Sequence, residues 1–377
     1  MASPAWPQTD RSLISDPNLM LEDPVNRALS QQHYHDMWLL LSQSKITWIR
    51  TAAALHFLGN FIRESDPELR AEGERLLTAI IAAEPRDTHT LWLLLDACHE
   101  IPDIPGCAST HIGDRLIESA PDNAAVYLKA AGVAVGTFAP FDVQDNKANR
   151  HALLDASRAP RIETYYGGDA LELYQELKAF EEEYRPAHEP AIGQPAHLRA
   201  FSMAWTVSSM LRHLSFVGLF DLCEAQVLED RSEYVEACLT LAGTMQATGK
   251  TLITKALGYG LERKVMEAMG ADKETTLYLA RKARMSTQVS VCQMPTWMKA
   301  PESMIELDES PVIAYLSDLG TVGEVGAIRN AAIRGYEANP DDYEQDPVLC
   351  DQLMDLDSET MGIFLGVADP KRLMESH

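Results

Sequence analysis

The sequence predicts an all-α protein of stacked antiparallel helical hairpins, an α-solenoid, with room for two subdomains. Three observations predict it. Apolar residues recur every three or four positions through most of the chain, as they do along one face of a helix. Several of these stretches open on helix-starting residues: Asp66-Pro67, Ser310-Pro311, and Thr321 with Glu324 as a capping box. Strand signals are scarce. Only Ser286–Val291 alternates polar residues with Val289 and Val291, and tight Asn-Gly or Asp-Gly turns do not link a series of such runs.

Taken in order, residues 1–30 are rich in Pro, Asp and Asn and read as a loosely packed arm. A helical domain over 31–185 starts near Gln31 and runs through Trp38 to Phe61. Its next helix opens at Asp66-Pro67, carries Leu69, Leu76 and Ile80, and ends before Pro85. A helix is expected around 145–158. Another spans 169–185, with Leu173, Leu177, Phe180 and Tyr184 at helical spacing. Pro186, Pro190, Gly193 and Pro195 punctuate the chain and mark a boundary. A second helical region fills 196–377. It begins with an apolar stretch, His197 to Leu228, broken near Gly218. Ser232–Thr248 is helical and stops at Gly249. Ile253, Leu257, Leu261, Val265 and Met269 repeat every four residues up to Gly270. Asp272 caps the next helix, which carries the basic cluster Arg281, Lys282 and Arg284. Asn339-Pro340 closes the helix begun at Thr321, and a short helix is expected at 358–366.

Residues 74–136 hold an internal echo. Glu74 to Ala83, a turn at Pro85 and an apolar run from Leu91 are followed by Asp114 to Ala120, a turn at Pro121-Asp122-Asn123 and a run from Ala124. The two prolines lie 36 positions apart (121 − 85), and Trp92 and Tyr127 follow the two turns. This segment resembles tetratricopeptide-like helical repeats, whose period is about 34 residues. The resemblance covers about a sixth of the chain. It implies stacked helix pairs with a groove for a protein partner, and places Trp92 and Tyr127 at equivalent inward positions.

Composition narrows the function. At 377 residues, 46% hydrophobic and 23% charged, the chain has the makeup of a water-soluble globular protein. It contains no apolar stretch of the length a membrane span requires. The formal net charge of −24 argues against binding nucleic acid, whose phosphates it repels. The charge is uneven. Residues 301–377 carry 17 Asp/Glu against 4 Lys/Arg, whereas residues 250–299 carry 9 Lys/Arg against 4 Asp/Glu. The acidic part is densest at Asp341, Asp342, Glu344, Asp346, Asp351, Asp355 and Asp357, the candidate partner-binding residues. A basic partner and plain solubility both account for such acid. No signal peptide is visible, so the cytoplasm is the expected location. Unlinked thiols are then the default for the six cysteines. Cys98 with Cys107, and Cys223 with Cys238, are the pairs that an oxidising compartment would join.

Catalytic motifs are not assembled. Gly243 to Gly249, followed by Lys250-Thr251, nearly spells a phosphate-binding loop, but it has five residues between its glycines where four are needed, and its lead-in reads as helix. It is read as an interhelical turn. Cys98, His99, Cys107 and His111 have zinc-ligand chemistry without a zinc spacing. His33 and His35 do not share a helix face, and this His-Tyr-His-Asp cluster is read as an exposed helix start. Glu181-Glu182-Glu183 is read as a solvated helix end. The expected function is therefore a non-enzymatic interaction scaffold, possessing no metal or cofactor and binding a protein partner of basic character. The alternative is an enzyme with a dispersed site, a nucleotide- or metal-dependent hydrolase built around Lys250 or the Cys98/His111 region.

Overall fold

The computed structural model describes residues 24–60, 67–136, 145–165, 169–183, 195–212, 214–299, 307–343 and 346–355. Asp66, Tyr184, Pro186, Pro190, Gly193 and the expected helix at 358–366 lie outside them. The fold is all-α. In the first part α1 covers Pro24–Leu41, α2 Thr47–Leu55, α3 Pro67–Ala82, α4 Thr88–Glu100, α5 Ile112–Ser119, α6 Ala124–Ala130, α7 Lys147–Arg158 and α8 Ala170–Glu183. Then follow α9 (Ala196–Arg212), α10 (Val217–Leu228), α11 (Ser232–Thr248), α12 (Leu252–Ala268), α13 (Lys273–Cys292), α14 (Thr296–Lys299) and α15 (Glu309–Ala338). Short 3-10 turns at Pro340–Asp342 and Pro347–Asp355 end the described chain. Val135–Gly136 and Leu214–Ser215 form a two-residue antiparallel ladder between α6 and α10.

Neighbouring helices pack in chain order through much of the molecule. α2 contacts α3 and α4, α4 contacts α5, α5 contacts α6, and α6 contacts α7. α7 then meets α11, within the run α10 to α13, where α12 packs on both α11 and α13. Gly258 permits the closest approach in that run, because a side chain there would drive into the Ala242 carbonyl of α11. One buried apolar cluster extends from Met37 to Ala331.

Local sequence explains the ends. Asp87, Asn123, Asn146, Thr251 and Asp272 each accept a hydrogen bond from a backbone N–H in the first turn of the following helix. Gly270 takes a positive φ of 81° just past α12. Asp87 and Asn123 are 36 positions apart (123 − 87), so the echo in the sequence is a repeat of caps. Five residues beyond each cap stand Trp92 and Leu128, both fully buried. Tyr127 falls one position short. It is half-buried, and its hydroxyl donates to the Pro121 carbonyl at 2.9 Å. Leu128, not Tyr127, therefore matches Trp92.

Other differences have equally local causes. α1 begins at Pro24, ahead of Gln31. Ser286–Val291 lies inside α13, where Val289 and Ser290 are buried by neighbouring elements and override β propensity. Thr321 and Glu324 do not form a capping box. Gly323 kinks α15 with a φ of 76°, and its missing side chain lets Lys250 approach. Thr321 Oγ1 donates back to the Ser317 carbonyl at 3.1 Å, while the Glu324 carboxylate accepts from Leu252 N at 3.0 Å. Glu324 thus serves the start of α12 from a distant part of the chain. Burial raises its pKa, and the Leu252 bond opposes that rise.

Two buried ionic contacts join helices. Lys129 of α6 is only 1% exposed and pairs with Asp96 of α4, its Nζ lying 4.6 Å from the centre of the Trp92 ring. Glu181 of α8 is buried rather than solvated. It accepts from His33 Nε2 of α1 at 2.8 Å and from Arg199 Nε of α9 at 2.7 Å. His33 accordingly lies within α1, against α8, and not at an exposed helix start.

All six cysteines form disulfides: Cys98–Cys107, Cys223–Cys238 and Cys292–Cys350. The first closes the loop between α4 and α5, the second joins α10 to α11, and the third joins the end of α13 to the last 3-10 turn. On the chain-entropy account, loops of this size are worth roughly 3–4 kcal/mol each.

Asp96→Ala is expected to destabilise the fold by about 3–5 kcal/mol, since it removes the carboxylate that balances a buried ammonium. Lys129→Met is expected to cost less, because Asp96 remains 15% exposed and can hydrate. Urea unfolding of both variants checks the order, and equal or reversed losses would remove the buried-charge explanation. A second expectation concerns acid. Burial works to raise the Glu181 pKa, but the bonds from His33 and Arg199 outweigh it and hold the carboxyl below its ordinary 4.5. Its stabilisation is therefore complete above pH 4.5 and is lost as pH falls through the lowered value. Glu181→Gln should lower stability at neutral pH and flatten the loss below pH 4.5, read from urea midpoints across pH.

Candidate interaction site

The C-terminal segment that carries the acidic residues packs in part on α13, the helix of the basic cluster. α13 begins under the Asp272 cap, whose carboxylate accepts from Thr275 N at 2.9 Å. One turn beyond Tyr278, Lys282 lies with its Nζ 5.5 Å from that ring's centre. The Lys282 ammonium also donates to the Met354 carbonyl in the 3-10 turn Pro347–Asp355. That turn packs on both α13 and α15 and is joined to α13 by Cys292–Cys350. Upstream, Tyr343 meets Tyr336 of α15 edge-to-face, with ring centres 5.9 Å apart.

The residues expected to bind a partner divide accordingly. Asp341 and Asp342 are exposed on the turn that leaves α15. Asp346 is half-buried, and its carboxylate accepts from Val348 N at 2.9 Å, so it shapes the segment. Asp351 and Asp355 belong to the last 3-10 turn, while Glu344 and Asp357 lie outside the described residues. The sequence reading missed two neighbours, Val348 and Leu349, which are 46% and 49% exposed. An apolar pair within an acidic run was the available signal. The segment thus carries exposed carboxylates on its first turn and an exposed aliphatic pair on its second, which Cys292–Cys350 anchors.

The other motifs are used within the fold. Gly243 sits inside α11, and the stretch up to Thr248 is helical, so its backbone does not wrap a phosphate. Lys250 Nζ donates to Glu163 Oε1 at 2.8 Å. Glu163 in turn pairs with Arg161 at 2.5 Å, and Arg161 makes two hydrogen bonds to the Asp122 carboxylate, at 2.7 and 3.0 Å. Thr251 is the cap of α12. Cys98 and Cys107 have their sulfur atoms bonded to each other, which removes the two thiolates a zinc site would need. His111, exposed at the start of α5, lies 3.6 Å from Asp114. No group of three or more metal-ligating side chains occurs among the described residues.

Lys250→Ala is expected to cost the fold no more than about 1 kcal/mol, as befits a half-exposed ion pair. ATP or GTP should leave the melting temperature of the parent protein unchanged. A nucleotide-dependent rise that disappears in the variant would return Lys250 to a binding role.

Comparison of the chain with protein-family models, with characterised proteins and with solved structures finds no match.

Proposed function

We propose that this chain is a non-enzymatic interaction protein that recognises a basic partner through its anchored acidic segment, and that it works in an oxidising compartment. The observation that carries the reading is the segment itself. Asp341 and Asp342 supply exposed negative charge, Val348 and Leu349 supply exposed apolar contact, and Cys292–Cys350 fixes the backbone between α13 and its tail. A surface ordered beforehand loses less conformational entropy on binding. Opposite charge on a partner accelerates encounter, within a screening length of about 8–10 Å at physiological salt. An acidic surface of this kind disfavours nucleic acid.

The compartment follows from the thiols. Every cysteine in the chain is bonded to another. Reducing conditions in the cytosol rarely leave such a set intact. The three disulfides support an oxidising location over the cytoplasm expected from the sequence. The 36-residue spacing of helix caps supports a repeat-like scaffold beneath the segment.

The test is direct. A partner captured on the immobilised protein at low salt is purified, and its association is measured by stopped flow. It should be basic, and its on-rate should fall steeply with ionic strength. Neutralising Asp341, Asp342, Glu344 and Asp357 to Asn or Gln, with Asp346 kept for its role in the turn, should lower the on-rate severalfold and flatten the salt dependence. An unchanged on-rate and salt slope would leave solubility as the role of this acid.

A further inference from the structure

We propose that Cys292–Cys350 is a reducible clasp: a dithiol reductant opens it, the acidic segment Pro340–Asp355 lifts from α13 and α15, and the helical body stays folded. The clasp deepens the reading above, and rests on it only for the consequence to partner binding.

Its position makes it different from the other two disulfides. Cys223 and Cys238 are both fully buried between α10 and α11 and belong to the main apolar cluster. Cys98–Cys107 spans only nine positions between helices that pack on each other without it. Cys292–Cys350 spans 58 positions, and one of its cysteines lies beyond the last long helix. Breaking it therefore releases a segment, not a packed helix.

The burial pattern separates this region from the body. Leu279, Ala280, Met285 and Val289 of α13, Ala332 of α15 and Cys350 are buried, yet none belongs to the cluster that runs from Met37 to Ala331. They lie on three elements that pack on one another, forming a satellite beneath the segment. Apart from the disulfide, the segment is held by packing on α13 and α15, with Pro347 and Cys350 buried, by the bond from Lys282 to Met354 O, and by Tyr343 against Tyr336 and over Gly335, while Val348 and Leu349 face solvent. This packing involves the satellite and not the main cluster, so the segment can open below the free energy of global unfolding once its tether is removed.

The chemistry balances with a dithiol. Cys292 is half-buried, whereas Cys350 is fully covered, so the exposed side of the bond is Cys292. One reductant thiolate attacks Cys292 Sγ, the S–S bond breaks, and its electron pair leaves on Cys350 Sγ, which takes up a proton. The second reductant thiol, as thiolate, attacks the mixed disulfide. Cys292 departs as a thiolate and is protonated, and the reductant leaves as its own disulfide. Two electrons and two protons pass to the protein. The released acidic segment then parts from the helix that carries Arg281, Lys282 and Arg284.

Graded dithiothreitol with alkylation and peptide mapping reports which bond opens, and amide hydrogen exchange reports what is released. Cys292–Cys350 should open before Cys223–Cys238. Amides of 340–355 should then exchange at least tenfold faster, with those of α8 and α11 unchanged. The Cys292→Ser/Cys350→Ser double variant should show the same exchange without reductant. Unchanged protection of 340–355 after both thiols are alkylated overturns the clasp, and so does loss of protection in α8 and α11 at the same step. If the segment is released but the captured partner's on-rate stays the same, the clasp stands and the segment is not the binding surface.

Discussion

The α8 helix is the element on which the arrangement of the others depends. Three of its carboxylates receive donors from the N-terminal helices and the turn between them: Glu172 from the Trp48 indole at 3.1 Å, Glu176 from the Ser44 hydroxyl at 2.6 Å, and Glu181 from His33. From the same helix Tyr174 and Lys178, one turn apart, both donate to Glu309 at the start of α15, at 3.0 and 2.6 Å. Arg199 of α9 completes the set at Glu181. Apolar burial at Leu173 and Leu177 supplies the attraction, but burial is not directional. The charged and hydroxyl contacts are directional, and they select one orientation of α1, α2, α9 and α15 around α8. The Glu181 carboxylate is only 4% exposed, so the loss of either donor would leave a buried charge less well compensated, and this helps to enforce the orientation.

The same principle runs through the repeat-like part. Lys129, Asp96 and Trp92 join α4 to α6 by burying a cation over an aromatic face and against a carboxylate. Here two helices, whose apolar faces alone would allow sliding, acquire a register. Disulfides add a second kind of constraint. On the chain-entropy account they restrict the unfolded chain, and they do so at a loop, a helix pair and a tail.

What was legible in the sequence was local. Asp272 as a cap, Gly249 and Gly270 as stops, and the helices at 145–158 and 232–248 follow from residues within one turn of each other. The all-α class follows from the same periodicities. What was not legible was set by distant partners. A run of three glutamates gives no sign that Glu181 meets His33, 148 positions away. Thr321 and Glu324 have the spacing of a capping box, yet Gly323 breaks the helix between them and the carboxylate reaches α12 instead. The pairing of Cys292 with Cys350 could not be read from spacing, since nothing local brings those positions together. In the candidate site, the acid was visible as composition. Its anchoring on a basic helix was not.

That anchoring changes what the charge asymmetry means. As a sequence, residues 250–299 are basic and residues 301–377 acidic, with nothing local to say that the two stretches meet. Folded, the C-terminal segment lies along α13, with Lys282 bonded to its Met354 carbonyl. The exposed acid among the described residues of this segment is at Asp341 and Asp342, on the turn that leaves α15. On the proposed reading, a partner that matched only the charge would be attracted and released, and one that also covered the exposed Val348 and Leu349 would be retained, because apolar burial slows dissociation where screened charge does not.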